Sequence, residues 1–248
     1  MATIAVFDSG LGSLGVVRAL RRISRCDIIY YADTASHPYG TKPVAELRRI
    51  ISDTVRGLRE RFAPDLVVVG SNTPTLLLDS MEDQATMGVW PPLREAARIG
   101  RSATVLATRS VVESGAVRRY AASLGLDLHI REVDASVLVG LAETGAFLDD
   151  PEECRGMIRD MLRDVRGTCV LSSTHLPFLR GIMESVRPDM VFLDPADTVA
   201  GRAVSAAGAG GGGTLRVYTS GGHDIGPLLR RLGVRQDISR LSLGGSRG

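Results

Sequence analysis

The chain reads as an α/β protein built from two similar doubly wound parallel-sheet lobes facing a central cleft. Three observations predict this. Apolar, β-branched runs alternate with helical patterns from one end of the 248 residues to the other. Two polar triplets, Ser71-Asn72-Thr73 and Ser173-Thr174-His175, sit at matching places in the two halves, each after a run that reads as a buried strand. The run at 3–7 and the run at 103–107 each open through a polar turn into a helix, a weak internal repeat. Alternation of this kind calls for parallel sheets covered by helices.

In order along the chain, strands are expected at 3–7, 27–31, 65–70, 103–107, 127–133, 168–171, 190–193 and 214–218. The clearest helices are expected at 43–61, 111–124, 151–165 and 198–207, and a last one at 225–232. Pro43 and Pro151 suit first helical positions, where no amide hydrogen is needed. The mixed charges of 48–61 read as a solvated face. The first lobe is assigned to 1–98 with 214–242, and the second to 99–207. The run GAGGGG at 208–213 reads as a flexible connector and 243–248 as a disordered tail.

Composition excludes several classes of function. Net charge is +2, so nothing electrostatic calls for nucleic acid or an anionic membrane surface. No apolar run is long enough to span a bilayer and no signal-peptide pattern opens the chain, so it is expected to be cytoplasmic. Lys42 is the only lysine, in a polar loop, which argues against a pyridoxal-phosphate Schiff base. Cys26, Cys154 and Cys169 lack metal-ligand spacing and read as reduced, space-filling thiols. No metal and no cofactor is expected.

Candidate sites are sought at strand ends, because ligands bind beyond the carboxyl ends of strands in open α/β sheets. Gly10-Leu11-Gly12-Ser13-Leu14-Gly15 matches a dinucleotide fingerprint, with Asp33 at the right distance. Asp8-Ser9 intervenes before the first glycine, however, and a carboxylate there would repel a pyrophosphate. Asp8 itself is either a helix cap or a functional acid at the first strand end. The loop from Tyr31 through His37-Pro38-Tyr39-Gly40 is rich in turn formers, with its aromatic expected to be exposed. The two triplets either cap helices or form a carboxylate site from hydroxyls, an amide and helix-start N–H groups.

Taken together, VFDSGLGSLGV (6–16), YYADTASHPYGTK (30–42), VVVGSNTPT (67–75), VLATRSVVESGA (105–116), LAETG (141–145), SSTHLPFL (172–179), DPADTVA (194–200) and VYTSGG (217–222) resemble the glutamate racemases of the cofactor-independent aspartate/glutamate racemase superfamily. The resemblance runs over essentially the whole chain. It implies that the triplets flank a substrate Cα from opposite faces, one thiolate removing the α-proton and the other thiol returning one. It places Asp8, Glu143 and His175 as groups assisting the two catalytic positions. It places Ser9, Tyr39, Gly40, Asn72, Thr73, Thr108 and Thr174 against the substrate, a small carboxylate or amino acid. It also leaves a homodimer open.

The departures from the family pattern are specific. Both catalytic cysteine positions are Ser, at Ser71 and Ser173. Ser172 stands for a glycine, Leu176 for an aromatic, Val111 for a threonine and Pro74 for a small residue. An alcohol is a far weaker acid than a thiol, so its alkoxide is scarcely available near neutral pH. Hydrolases activate Ser through His and Asp, but they attack carbonyls and do not abstract carbon-bound protons. The sequence therefore predicts a racemase-like protein that keeps the ligand site, with two-thiol chemistry lost or altered. An active racemase using Ser71 and Ser173 with Asp8, Glu143 and His175 is the alternative, and a non-catalytic regulatory or scaffold protein is a third reading.

Overall fold

The computed structural model describes residues 1–78 and 81–243. The chain divides into two compact units, Met1–Val89 with Ala196 onward, and Trp90–Pro195. The first unit begins with β1 (Thr3–Asp8), α1 (Leu14–Ile23), β2 (Asp27–Ala32), α2 (Val44–Phe62), β3 (Leu66–Val69), α3 (Asn72–Leu77) and β4 (Thr86–Gly88). The second holds α4 (Leu93–Ile99), β5 (Ser102–Ala107), α5 (Arg109–Ser114), α6 (Ala116–Ser123), β6 (His129–Asp134), α7 (Ser136–Thr144), α8 (Ala146–Asp149), α9 (Pro151–Met161), β7 (Thr168–Ser172), α10 (Arg180–Val186) and β8 (Val191–Leu193). The chain then returns to the first unit as α11 (Ala196–Ala207), β9 (Leu215–Thr219), α12 (Gly226–Arg231) and β10 (Ile238–Arg240).

Among the described residues the first sheet runs β10-β9-β2-β1-β3-β4 and the second β6-β5-β7-β8, with every paired neighbour parallel. Strands β1, β2 and β3 are buried on both faces, and their sequences accordingly show near-continuous apolar runs rather than alternation. Helix α2 turns Leu47, Ile51, Thr54 and Leu58 inward, at helical spacing. Its outer face carries Arg49 and Arg56 on either side of Asp53, at 3.6 and 2.5 Å. Such exposed pairs contribute about 0.3–0.5 kcal/mol each, so the buried face holds the helix in place. At Ala63 the backbone turns left-handed (φ 44°) and Pro64 prevents continuation.

Several expectations need correction. The division falls at Val89/Trp90 instead of near residue 99, because α4 packs on β5 and β7. Residues 196–207 belong to the first unit, because α11 packs on α1 and reaches β1 and β3. The expected helix 111–124 is two helices, broken where Gly115 adopts φ 65°. Helix α9 stops at Met161, short of 165. Strands β4 and β10, three residues each, were not expected.

The glycine run 208–213 is not a loose connector. Its backbone is tied to the residues just before β1 and β2 by hydrogen bonds from Ala2 N to Gly210 O (2.5 Å), Arg25 N to Ala209 O (2.9 Å) and Gly213 N to Arg25 O (2.8 Å). A Cβ on Gly211 would lie 2.7 Å from the Arg25 carbonyl, so close backbone approach explains the glycine there. Asp27 fastens the end of the run, accepting from Gly212 N at 3.2 Å, Thr214 N at 3.0 Å and Thr214 Oγ1 at 2.6 Å. Of the expected tail, Leu243 packs against Gly57 of α2, and 244–248 lie outside the described residues.

Candidate functional site

Parallel strands end on one edge of their sheet, so residues distant in sequence collect there. In the first unit β1 ends at Asp8, β2 at Ala32 and β3 at Val69, and the next residues are Ser9, Asp33 and Gly70-Ser71. Asp8 is fully buried. Its Oδ1 accepts from Ser9 N at 2.7 Å, and its carbonyl accepts from Asp33 N at 2.7 Å. The helix after it begins only at Leu14, so Asp8 is not a helix cap.

Tyr39 corrects the expectation of an exposed aromatic. It lies in the core with Phe7, Leu47 and Val69, 2% exposed, and its hydroxyl donates to Asp33 Oδ2 at 3.2 Å. Burial, followed by the negative charges of Asp33 and Asp8, pushes the phenol well above its ordinary value. Tyr39 is therefore a neutral donor at any working pH. Gly40 follows in a short 3-10 turn and is half-buried.

The first triplet is braced from inside. Gly70 N donates to Phe7 O at 2.6 Å, and a Cβ on Gly70 would lie 2.3 Å from Ser13 Cβ. Thr75 Oγ1 donates to Ser71 O at 2.7 Å and accepts from Val89 N at 3.1 Å. Asn72 Nδ2 donates to Val89 O at 2.8 Å, while its buried Oδ1 has no hydrogen-bond partner among the described residues. Ser71 stands before α3 with extended backbone and makes no side-chain capping bond, so simple capping does not account for its hydroxyl. Ser71 and Thr73 are both buried.

In the second unit β5 ends at Ala107 and β7 at Ser172, which places Thr108 and Ser173 on one edge. Ser173, Thr174, His175 and Glu143 are all buried, and Thr108 is half-buried. The imidazole Nε2 of His175 meets Glu143 Oε2 at 2.7 Å, bringing together residues on the β7 loop and on α7. His175 N donates to Ser173 Oγ at 3.4 Å, and Leu176 N donates to Ser173 O at 3.1 Å. The triplet leads into a 3-10 turn (Leu176–Leu179) and not into the expected α-helix start. The helix-terminus contribution there is accordingly small. Ser172 Oγ is buried without a partner among the described residues, and Val111 and Leu176 are fully buried.

The residues singled out by sequence thus fall into two groups. Asp8, Ser9, Tyr39, Gly40, Ser71, Asn72 and Thr73 belong to the first unit, and Thr108, Glu143, Ser173, Thr174 and His175 to the second. Sequence reasoning missed Asp33 as the partner of Tyr39, and Thr75 and the Val89 backbone as the brace of the first triplet. Thr75 closes the motif VVVGSNTPT, but Val89 lies 17 residues from Asn72 and carries no local signal.

The dinucleotide alternative loses its acid: Asp33 is 5% exposed and its Oδ2 is engaged by Tyr39, where a ribose requires an accessible carboxylate. Among the described residues no group of three or more His, Cys, Asp or Glu could hold a metal ion. Among them, too, no helix is long and apolar enough to cross a membrane. The three cysteines are buried and unbridged. Burial pushes the Cys169 thiol up to about 12, and Cys26 Sγ donates to Gly208 O at 3.0 Å. None stands at a strand end.

No family model matches the chain. Individual relatives do. It is 36% identical to the glutamate racemase of Thermus thermophilus over 258 aligned positions, covering 98% of this chain and 97% of the relative. It is 33% identical to that of Mesorhizobium japonicum, covering 93% and 97%. Among solved structures, Thermus thermophilus glutamate racemase in complex with β-chloro-D-alanine superposes with a TM-score of 0.81 at 33% identity, covering 98% and 97%. Escherichia coli glutamate racemase in complex with L-glutamate and the activator UDP-MurNAc-Ala gives 0.83 at 25% identity, covering 98% and 99%. With near-complete coverage at this level of identity, the chain belongs to the glutamate racemase family.

Proposed function

We propose that the chain binds a glutamate-like amino acid through these strand-end residues, with two-thiol racemase chemistry lost or altered. The observation that carries the proposal is the pair Ser71 and Ser173, both buried, each directly beyond a central strand and among polar side chains suited to a small zwitterion. The complexes of the relatives with L-glutamate and β-chloro-D-alanine support the ligand class. In this reading Ser9, Gly40, Asn72, Thr73, Thr108 and Thr174 hold the ligand, and Asn72 Oδ1 supplies an acceptor for its ammonium. Ser71 with Asp8, and Ser173 with His175 and Glu143, take the positions that the family resemblance assigns to proton transfer at Cα. No cofactor takes part.

The test is solvent deuterium exchange at Cα of L- and D-glutamate, together with calorimetric titration of both. Binding with negligible exchange is expected. Exchange and racemisation at rates ordinary for a thiol enzyme would overturn the loss of chemistry. Absence of heat and of any thermal shift with glutamate, aspartate and related dicarboxylates would leave a scaffold.

The second reading is an active racemase that uses Ser71 and Ser173 with Asp8, Glu143 and His175. The close contact of His175 with Glu143 favours it, since it couples an imidazole to a carboxylate beside Ser173. A measurable rate that is unchanged by Cys at both serine positions would support it.

A further inference from the structure

We infer that Asp33 is a positioning residue of the ligand site: its buried carboxylate fixes the Tyr39 side chain, and with it the turn that carries Gly40. The inference deepens the proposed function and rests on it for the role of that turn.

The geometry is confined to the first unit. Asp33 follows β2 and is anchored by its own backbone, whose N–H donates to the Asp8 carbonyl at 2.7 Å. Its Oδ2 accepts the Tyr39 hydroxyl at 3.2 Å. One residue thereby connects the end of β1 to a side chain six positions further along the loop. A phenol has one proton to donate, and here that proton is committed to Asp33. The Tyr39 ring is packed in the core with Phe7, Leu47 and Val69, and the hydroxyl bond holds its outer end at Asp33. The backbone turn is built on that residue: Lys42 N donates to Tyr39 O at 3.2 Å, and Thr41 N to Pro38 O at 3.4 Å. Ala35 and Pro38 in the intervening stretch are exposed, and Ser36 and His37 half-buried. Thr34 Oγ1, 2.8 Å from Thr219 Oγ1, and Ala35 N, donating to Ser220 Oγ at 2.7 Å, hold the start of the loop; His37 meets the His223 ring midway, and Tyr39 anchors the far end in the core. A shift of the ring moves Gly40 directly, and binding groups displaced by about 1 Å can cost two orders of magnitude in function.

The test combines calorimetry with L-glutamate and amide hydrogen exchange over 37–42, on the full chain and on D33N, D33A, Y39F and D33A/Y39F. D33A and Y39F should each weaken glutamate by about tenfold. The double variant should be no weaker than either, since both remove the same hydrogen bond. D33N keeps an acceptor oxygen and the side-chain volume, and should recover part of the loss while folding as the parent does. Exchange over 39–42 should rise in D33A without ligand. Additive losses in the double variant would overturn the inference, as would a D33A protein matching the parent in both affinity and exchange. If the parent bound no glutamate, the proposed function would fall, and the exchange data would still decide whether Asp33 holds the turn.

Discussion

The Glu143 carboxylate meets the His175 imidazole at 2.7 Å, Oε2 to Nε2, with both side chains buried. Two groups of this kind are rarely buried together without need, because each loses hydration that the contact must replace. The pair spans 32 residues of sequence and ties α7 to the loop beyond β7, so it supports the fold as well as orienting the imidazole. Replacing Glu143 by Ala removes the acceptor and should cost about 1–3 kcal/mol of stability. Glu143→Gln preserves the volume and an acceptor oxygen and should cost less. Denaturant unfolding of the three proteins measures this, and equal stabilities would mean that the contact carries no net energy.

Thiols at the two serine positions give the sharpest chemical prediction. Ser71→Cys/Ser173→Cys places groups with ordinary values of about 8.5 where buried alcohols now stand, the second of them next to the His175–Glu143 pair. Exchange of the glutamate α-proton with solvent deuterium should rise by at least about a hundredfold, because a usable base replaces one that is scarcely ionised. Under the proposed function each single variant should exchange chiefly one enantiomer. A double variant that exchanges no faster than the parent would show that thiols alone do not supply the chemistry, with Ser172, Leu176 and Val111 the next residues to replace.

Much of this architecture was legible because the central strands announce themselves. Val67, Val68 and Val69 are wholly buried and form an unbroken apolar run, as a strand covered on both faces requires. Strands β4 and β10 were not legible, because three residues such as Thr86–Gly88 are too short to show a period. The strand-end position of Ser71 and Ser173 could be read locally, since each lies just beyond its strand. The burial of Tyr39 could not, because whether a phenol in a polar loop turns into the core depends on an acceptor for its hydroxyl, here Asp33. The glycine run at 208–213 misled for a related reason: glycine permits flexibility, and it equally permits the close approach that Gly211 makes to Arg25.

That run makes stability depend on pH through Asp27. Hydrogen bonds from the Thr214 hydroxyl and amide, and from Gly212, hold the Asp27 carboxyl below its ordinary range. A folded-state value below the unfolded one contributes stability above about pH 4, and that contribution is lost as pH falls through the depressed value. Asp27→Asn should therefore be less stable than the parent at about pH 7, and the two should converge toward about pH 2. Thermal unfolding across that range checks it, and a gap independent of pH would show that the hydrogen bonds tie the run without discriminating charge.

Ala63 offers a prediction of the opposite sign. It closes α2 at φ 44°, ψ 51°, donating its N–H to Arg59 O at 2.9 Å, and is the only non-glycine residue with positive φ among those described. The left-handed conformation costs an L residue about 1–2 kcal/mol because Cβ crowds the following carbonyl. Glycine escapes that cost but loses about 0.5–1 kcal/mol through the greater freedom of its unfolded chain. The balance favours Ala63→Gly by about 0.5–1 kcal/mol, a rise in Tm of roughly 1–4 °C for a chain of this size. The site is far in sequence from every candidate ligand residue except those of the first triplet, which β3 separates from it, so glutamate affinity should not change. A lower Tm in the variant would mean that packing of the Ala63 methyl outweighs the backbone strain at the end of α2.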